Sequence, residues 1–188
     1  MRREWRRLPE KSVEQPPHRQ VFTALEELRI SDSQMSRLDI SSLRTLKYLC
    51  LDNCLLGSWN ISGNSSLKVL SVKNSQLTTL NASGIKTLES VNLEGTSLAT
   101  LDISGCTALK IVSITQSQLV TLTTANSTAL TNLTFKDSQV AVLNCSNNRL
   151  SELDLSGVST LQTLYCADNR LSFATLSLHS VWQLLTLK

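Results

Sequence analysis

One period governs most of this chain. From Leu25 onward an apolar residue recurs every 21 residues, with units starting at Leu25, Leu46, Leu67, Leu88, Leu109 and Leu130. One unit reads L-K-V-L-S-V-K-N-S-Q-L-T-T-L-N-A-S-G-I-K-T (Leu67 to Thr87), and the next L-E-S-V-N-L-E-G-T-S-L-A-T-L-D-I-S-G-C-T-A (Leu88 to Ala108). Apolar residues fall at the first, fourth and sixth positions and again at the eleventh, fourteenth and sixteenth. Each unit is therefore two L-x-x-L-x-L halves of 10 and 11 residues. A helix would require a 3.6-residue period, whereas the L-x-L at the centre of each half alternates as a strand does. A single unit has no core of its own, so the units must stack.

The pattern predicts a right-handed coil. First halves form a parallel strand on a concave sheet, second halves an extended, tightly turned convex side, and there is little helix. Second halves end in Ser62-Gly63, Ser83-Gly84 and Ser104-Gly105, where glycine suits a corner. The ninth position carries Ser33, Cys54, Ser75, Thr96, Ser117 and Ser138, then Asn148 and Asn169. This inward polar row is expected to bond the backbone of the turn after the strand, because buried polar groups need partners.

The later units, L-N-C-S-N-N-R-L and L-Y-C-A-D-N-R-L, with L-D-L-S-G and L-D-I-S-G, resemble the 21-residue leucine-rich repeats of bacterial surface proteins. The similarity is to the cysteine-bearing internalins of Listeria-like bacteria and the surface leucine-rich-repeat proteins of Bacteroidetes, over about residues 22–188. It implies a leucine-rich-repeat solenoid engaged in adhesion or in host or glycan contact, and it carries over no ligand residues. The helical cap that internalins place before their repeats is not evident in this sequence.

After Leu130 the period slips. The next start is Val140, ten residues on, followed by Leu161 and Trp182 at the regular spacing. Ten extended residues cannot go out and back to close a coil. Because both halves share one inward spacing, the expected outcome is a 20-residue coil, Leu130 to Arg149, after which the halves exchange sides. Val140–Cys145 would then stack on Leu119–Thr124, and Leu150–Leu155 on Leu130–Phe135. A loop-out of 130–139 is the alternative. The unit at Trp182 stops after seven residues, which reads as a truncated or self-pairing end.

Composition supports a repeat array. With 41% hydrophobic but only 4% aromatic residues, the chain is too apolar for disorder and too aromatic-poor for an ordinary core. The net charge of +3 resides in residues 1–20, leaving twelve charges of each sign in the body. A basic face for nucleic acid is therefore not expected. Residues 1–21, with Pro9, Pro16 and Pro17, read as a flexible leader, and residues 22–188 as the repeat domain. No apolar run follows the basic start and none approaches a membrane span, so neither a signal peptide nor membrane insertion is expected in this stretch.

Five cysteines offer no C-x-x-C, and the two histidines, His18 and His179, lie near the ends. Neither a metal site nor a Ser-His-Asp arrangement can be assembled, and no cofactor or catalytic residue is expected. Cys145 and Cys166 should stack as buried thiols, Cys54 takes the polar row, Cys106 lies in a turn, and Cys50 projects from the concave strand. Six N-x-[ST] sequons, such as those at Asn60, Asn81 and Asn144, follow the Asn-, Ser- and Thr-rich turns.

The concave face is the candidate binding surface. Its outward rows include Tyr48, Val69 and Ile111 as an apolar stripe, with Asn92 beside them. Asp52, Lys73 and Glu94 form an alternating charge row, and Lys136 follows at the same position. This pattern points to a protein ligand at a secreted or surface module. A glycan is also open, although Tyr48 and Tyr165 are the only aromatic platforms in view. The rival readings are a structural spacer and the recognition arm of a larger enzyme. Self-association through the uncapped C-terminal end is a further expected contact.

Overall fold

The computed structural model describes residues 24–155, 158–172 and 176–177. The expectations for the leader and His18, and for His179, the unit at Trp182 and its uncapped end, lie outside those residues.

The regular units from Leu46 to Ala129 each contribute two strands. In chain order the strands are β1 (Glu27–Ser33), β2 (Tyr48–Cys54), β3 (Ser58–Asn60), β4 (Val69–Lys73), β5 (Thr79–Asn81), β6 (Ser90–Glu94) and β7 (Thr100–Asp102). They continue with β8 (Ile111–Thr115), β9 (Thr121–Thr123), β10 (Asn132–Lys136), β11 (Val142–Asn144), β12 (Leu153–Asp154), β13 (Thr163–Tyr165) and β14 (Leu176–Ser177). The first sheet runs β1-β2-β4-β6-β8-β10 and the second β3-β5-β7-β9-β11-β13. Every pairing is parallel, and within the regular units partners lie 21 residues apart, as in Leu49 with Leu70 and Trp59 with Leu80. The chain is a leucine-rich-repeat β-solenoid, without helix among the described residues. Its second side was expected to be extended and turned. It is in fact a hydrogen-bonded sheet of three-residue strands.

The alternation that makes the strands also makes the core. In T-L-N and T-L-D the central leucine points in and its neighbours point out, giving exposed-buried-exposed triplets at β5 and β7. Leu46, Leu67, Leu88, Leu109 and Leu130 form one fully buried row, and Leu56, Leu77, Leu98 and Leu119 another, in a single cluster from Ile40 to Leu164. Each buried leucine contributes roughly 1.5–3 kcal/mol, and each owes its burial to the coils above and below.

Two corners bracket each first-sheet strand and close the coil. One carries Asp32, Asn53, Asn74, Gly95, Gln116 and Asp137, all with φ between 44° and 59°. The other carries Gly84, Gly105, Asn126, Asn147 and Asp168, again with positive φ. This left-handed backbone lets the corner amide donate to the next coil: Asn74 N to Glu94 O at 2.8 Å, Gly105 N to Ala125 O at 2.9 Å. Asparagine and aspartate tolerate that conformation better than other side chains, which explains their recurrence there.

Polar rows line the inside of both corners, where one was expected. In the first, the Cys54 thiol donates to Ile30 O, the Ser138 hydroxyl to Ile114 O, and Thr96 and Ser117 bond each other at 2.9 Å. The second row is Asn64, Ile85, Cys106, Ser127, Asn148 and Asn169. Asn64 Nδ2 donates to Ile40 O (2.9 Å), Cys106 Sγ to Ala82 O (3.4 Å), Ser127 Oγ to Ile103 O (3.1 Å) and Asn148 Nδ2 to Thr124 O (3.1 Å). Each donor in this row reaches the carbonyl 24 residues upstream, as Cys54 and Ser138 do in the first. One expectation is thereby corrected: Asn148 and Asn169 sit in this second row. Cys106 lies in a turn as expected, its carbonyl accepting from Leu109 N at 2.9 Å, and is also a buried member of the row.

The slip explains the misplacement. Val142, Leu143 and Asn144 pair with Thr121, Leu122 and Thr123, so β11 lies in the second sheet although its residues belong to a first half. β13, another first half, continues that sheet by pairing with β11. On the opposite side β12 packs beside β10 without joining the first sheet, and pairs instead with β14. Leu130–Arg149 is thus one short coil, and its closing bond runs from Arg149 N to Leu130 O at 2.9 Å. Leu133 and Leu143 fall in different sheets.

Candidate functional site

The outward face of the first sheet gathers the expected binding residues. Tyr48, Val69, Ser90 and Ile111 occupy one register position on four successive strands. Tyr48 is 41% and Ile111 48% exposed, Val69 is half-buried, and Ser90 separates the aliphatic pair. At about 4.8 Å per strand the row from Tyr48 to Ile111 spans about 14 Å. Asn92 is half-buried in the neighbouring row, and Lys136 is exposed on the outermost strand, β10.

The charge row is only partly a ladder. Lys73 Nζ meets Glu94 Oε2 at 2.8 Å, and this hydrogen bond holds the ammonium pKa above its ordinary value. Asp52 Oδ1 accepts from Asn74 Nδ2 at 3.2 Å. A second charged row, at the second position of each unit, went unnoticed in the sequence. Lys47 pairs with Glu26 at 2.6 Å, while Glu89 accepts from Lys68 at 3.1 Å and lies 3.5 Å from Lys110. The bond from Lys68, helped by the charges of both lysines, holds the Glu89 carboxyl below its usual range. The same 21-residue alignment would have found this row. It was missed because only positions flanking the L-x-L were counted as outward. Arg29 also pairs with Glu27 on the same strand.

The thiols are free. Cys145 is fully buried, and loss of hydration pushes its pKa up to about 12. Cys166, one coil on, is half-buried, and burial raises its pKa too. Cys50 is half-buried on the outward face of the first sheet, where burial outweighs the nearby Arg29 guanidinium and keeps the thiol protonated. Such thiols act as small apolar side chains rather than nucleophiles. Among the described residues no group of three His, Cys, Asp or Glu side chains could hold a metal ion, and no helix is long and apolar enough to cross a membrane. Tyr165, considered as an aromatic platform on the concave face, stands on the second sheet.

No family model matches this sequence, and no curated protein does. Among solved structures the chain is similar to the functional domain of InlJ from Listeria monocytogenes, which includes a cysteine ladder, at 16% identity and a TM-score of 0.37. The alignment covers 81% of this chain and 46% of that domain, so the chain spans about half its length. It is also similar to a leucine-rich-repeat protein of Leptospira interrogans, at 17% identity and a TM-score of 0.32, over 81% of this chain and 57% of that one. A chain in the octameric complex of Latrophilin 3, Unc5D and the leucine-rich-repeat protein FLRT2 matches at 18% identity and a TM-score of 0.45, over 78% and 62%. The fold assignment itself rests on the repeat and its strand register.

Proposed function

We propose that this chain is a non-catalytic recognition module of a secreted or surface-attached bacterial protein, gripping a protein partner with the outer face of its first sheet. The observation that carries this reading is the exposure of Tyr48 and Ile111 on a face whose charges are largely paired among themselves. A tyrosine and aliphatic side chains set in a polar surround are what a protein interface uses for its central contacts. Asp52, Lys73, Asn92, Glu94 and Lys136 would then form the polar rim. Cross-linking mass spectrometry on a captured partner tests the idea. Cross-links should map to residues flanking Tyr48 and Ile111, and a Tyr48→Ser, Ile111→Ser double variant should lose capture by about a hundredfold, some 2.7 kcal/mol. Unchanged capture by the folded variant would overturn it.

The pairing of Lys73 with Glu94 favours a second reading, in which the repeats act as a spacer. A face that satisfies itself keeps a sheet soluble without binding anything, and exposed pairs add little stability. On that reading no partner would be displaced by substitutions at Tyr48 and Ile111.

A further inference from the structure

The first coil leaves the solenoid open at one end. β1 is the outermost strand of the first sheet, and among the described residues no strand pairs with its far edge. Leu25, Leu28, Ile30 and Leu38 are only partly buried, whereas their counterparts one coil on, Leu46, Leu49, Leu51 and Trp59, are at most 6% exposed. Met35 is 42% exposed where its counterpart Leu56 is buried. The preceding sequence does not carry the repeat. One period upstream, where the core needs apolar side chains, stand Glu4, Arg7 and Pro9, then Glu14, Pro17 and Arg19.

The backbone of that edge is set to pair. In later coils the third and seventh positions of a unit turn their peptide groups to the coil before. Tyr48 N donates to Glu26 O and Val69 N to Lys47 O, both at 3.0 Å, and Glu94 O accepts from Asn74 N at 2.8 Å. Peptide groups alternate sides along a strand, so in β1 those of Glu27, Arg29 and Ser31 face the open edge. Glu27 and Arg29 are both exposed, and they pair with each other.

We propose that a second copy of the chain covers this end, the two β1 strands pairing antiparallel about a two-fold axis at Leu28. A two-fold contact uses one patch twice, so the patch must complement itself. Only edge-facing residues can exchange backbone bonds, which allows registers centred on residue 27, 28, 29 or 30. Centring on Glu27 sets carboxylate against carboxylate, and centring on Arg29 sets guanidinium against guanidinium. Centring on Ile30 carries the pairing past Asp32, where the left-handed backbone (φ 51°) interrupts the strand. Centring on Leu28 sets Glu27 opposite Arg29 of the second copy, and Arg29 opposite its Glu27, so unlike charges meet on both sides of the axis. Leu28 then meets its own copy, with Cα atoms about 4.5 Å apart, and the two apolar ends close on each other. An unrelated strand would find the same backbone, but a copy of β1 brings the complementary charges in this register. The contact uses the edge of β1 rather than the outward face of the sheet, so it does not depend on the role proposed for Tyr48 and Ile111.

The test is sedimentation equilibrium of the full chain at concentrations up to about 100 µM, with circular dichroism to confirm that each variant is folded. The parent should shift from monomer toward twice the monomer mass as concentration rises. Arg29→Glu surrounds the axis with carboxylates alone and Glu27→Arg with guanidiniums alone, so each variant by itself should dimerise at least about tenfold more weakly. An equal mixture of the two variants should dimerise again. Each position then faces the opposite charge across the contact, while neither chain regains a Glu27–Arg29 pair of its own. The proposal is overturned if the parent stays monomeric throughout, which would leave residues 1–23 or another protein to cover the end. It is equally overturned if either variant dimerises as well as the parent, which would place self-association elsewhere, or if the mixture stays monomeric.

Discussion

Leu143 lies beside Leu122, although its counterpart by repeat position is Leu133 on the opposite sheet. The solenoid absorbs a missing half-unit by letting the two kinds of half trade places. They can do so because each brings the same three devices: an inward L-x-x-L-x-L, a left-handed corner residue, and a polar side chain behind that corner. Asn147 supplies the corner (φ 57°) and Asn148 the polar group in the row that Asn126 and Ser127 occupy one coil earlier.

The exchange leaves a seam. The second sheet passes through it from β9 to β11 to β13, while the first sheet ends at β10. Phe135 is only partly buried there, whereas Ile114 before it is fully buried. Amide hydrogen exchange should therefore be faster along β10 and β12 than along β6, with β11 protected. Equal protection of β10 and β6 would show that the seam is as tight as the rest.

Asn148 should be the most sensitive single position near the seam. Its Nδ2 bonds Thr124 O at 3.1 Å and Cys145 O at 2.8 Å, and both partners are interior. Asn148→Ala removes both bonds, although Thr124 O still accepts from Ser127 N and Cys145 O from Asn169 Nδ2, and is expected to cost about 1–2 kcal/mol. Asn148→Ser, which can mimic Ser127, should cost roughly half as much. Urea denaturation of both variants measures the difference.

Gly95 has φ +59°, and a Cβ there would meet Asn74 Oδ1 at 2.8 Å. Asn74 is exposed and its side chain can move, so the backbone conformation sets most of the penalty. Gly95→Ala should lower stability by about 1 kcal/mol. Gly95→Asn should cost less, because Asn53 and Asn74 adopt the same conformation at the same corner. Thermal unfolding of the pair checks the order.

Alkaline pH should weaken the fold through Cys145. Its thiol titrates at about 12 when folded, against an ordinary value near 9, so between those limits the folded chain holds a proton that the unfolded chain has released. Stability contributed by the neutral thiol is complete below about 9. It then falls with rising pH by at most about 1.4 kcal/mol per unit. Cys145→Ala should flatten that part of the pH profile at the cost of a small cavity. Thiol labelling at mild alkaline pH should spare Cys145 relative to Cys50.

The fold was readable because it needs little beyond the period. The spacing of Leu67, Leu70 and Val72, repeated at Leu88, Val91 and Leu93, sets strand, inward face and register together. The candidate site was less so. Outward positions follow from alternation, but whether Lys73 turns to Glu94 or to Asp52 depends on side-chain geometry across strands.

The sequence by itself determined that the chain coils, how long each coil is, and that the count breaks after Leu130. Those are properties of apolar spacing, and burial of leucine admits few other solutions. Coil closure pointed to an exchange of sides beyond the break, with a loop-out of 130–139 as the alternative, and only the tertiary structure decided between them. Both halves bury the same pattern, so the pattern alone cannot rank sheets. Closing the coil does, since Leu130–Arg149 can return to its start only if Val140–Cys145 runs down the second side.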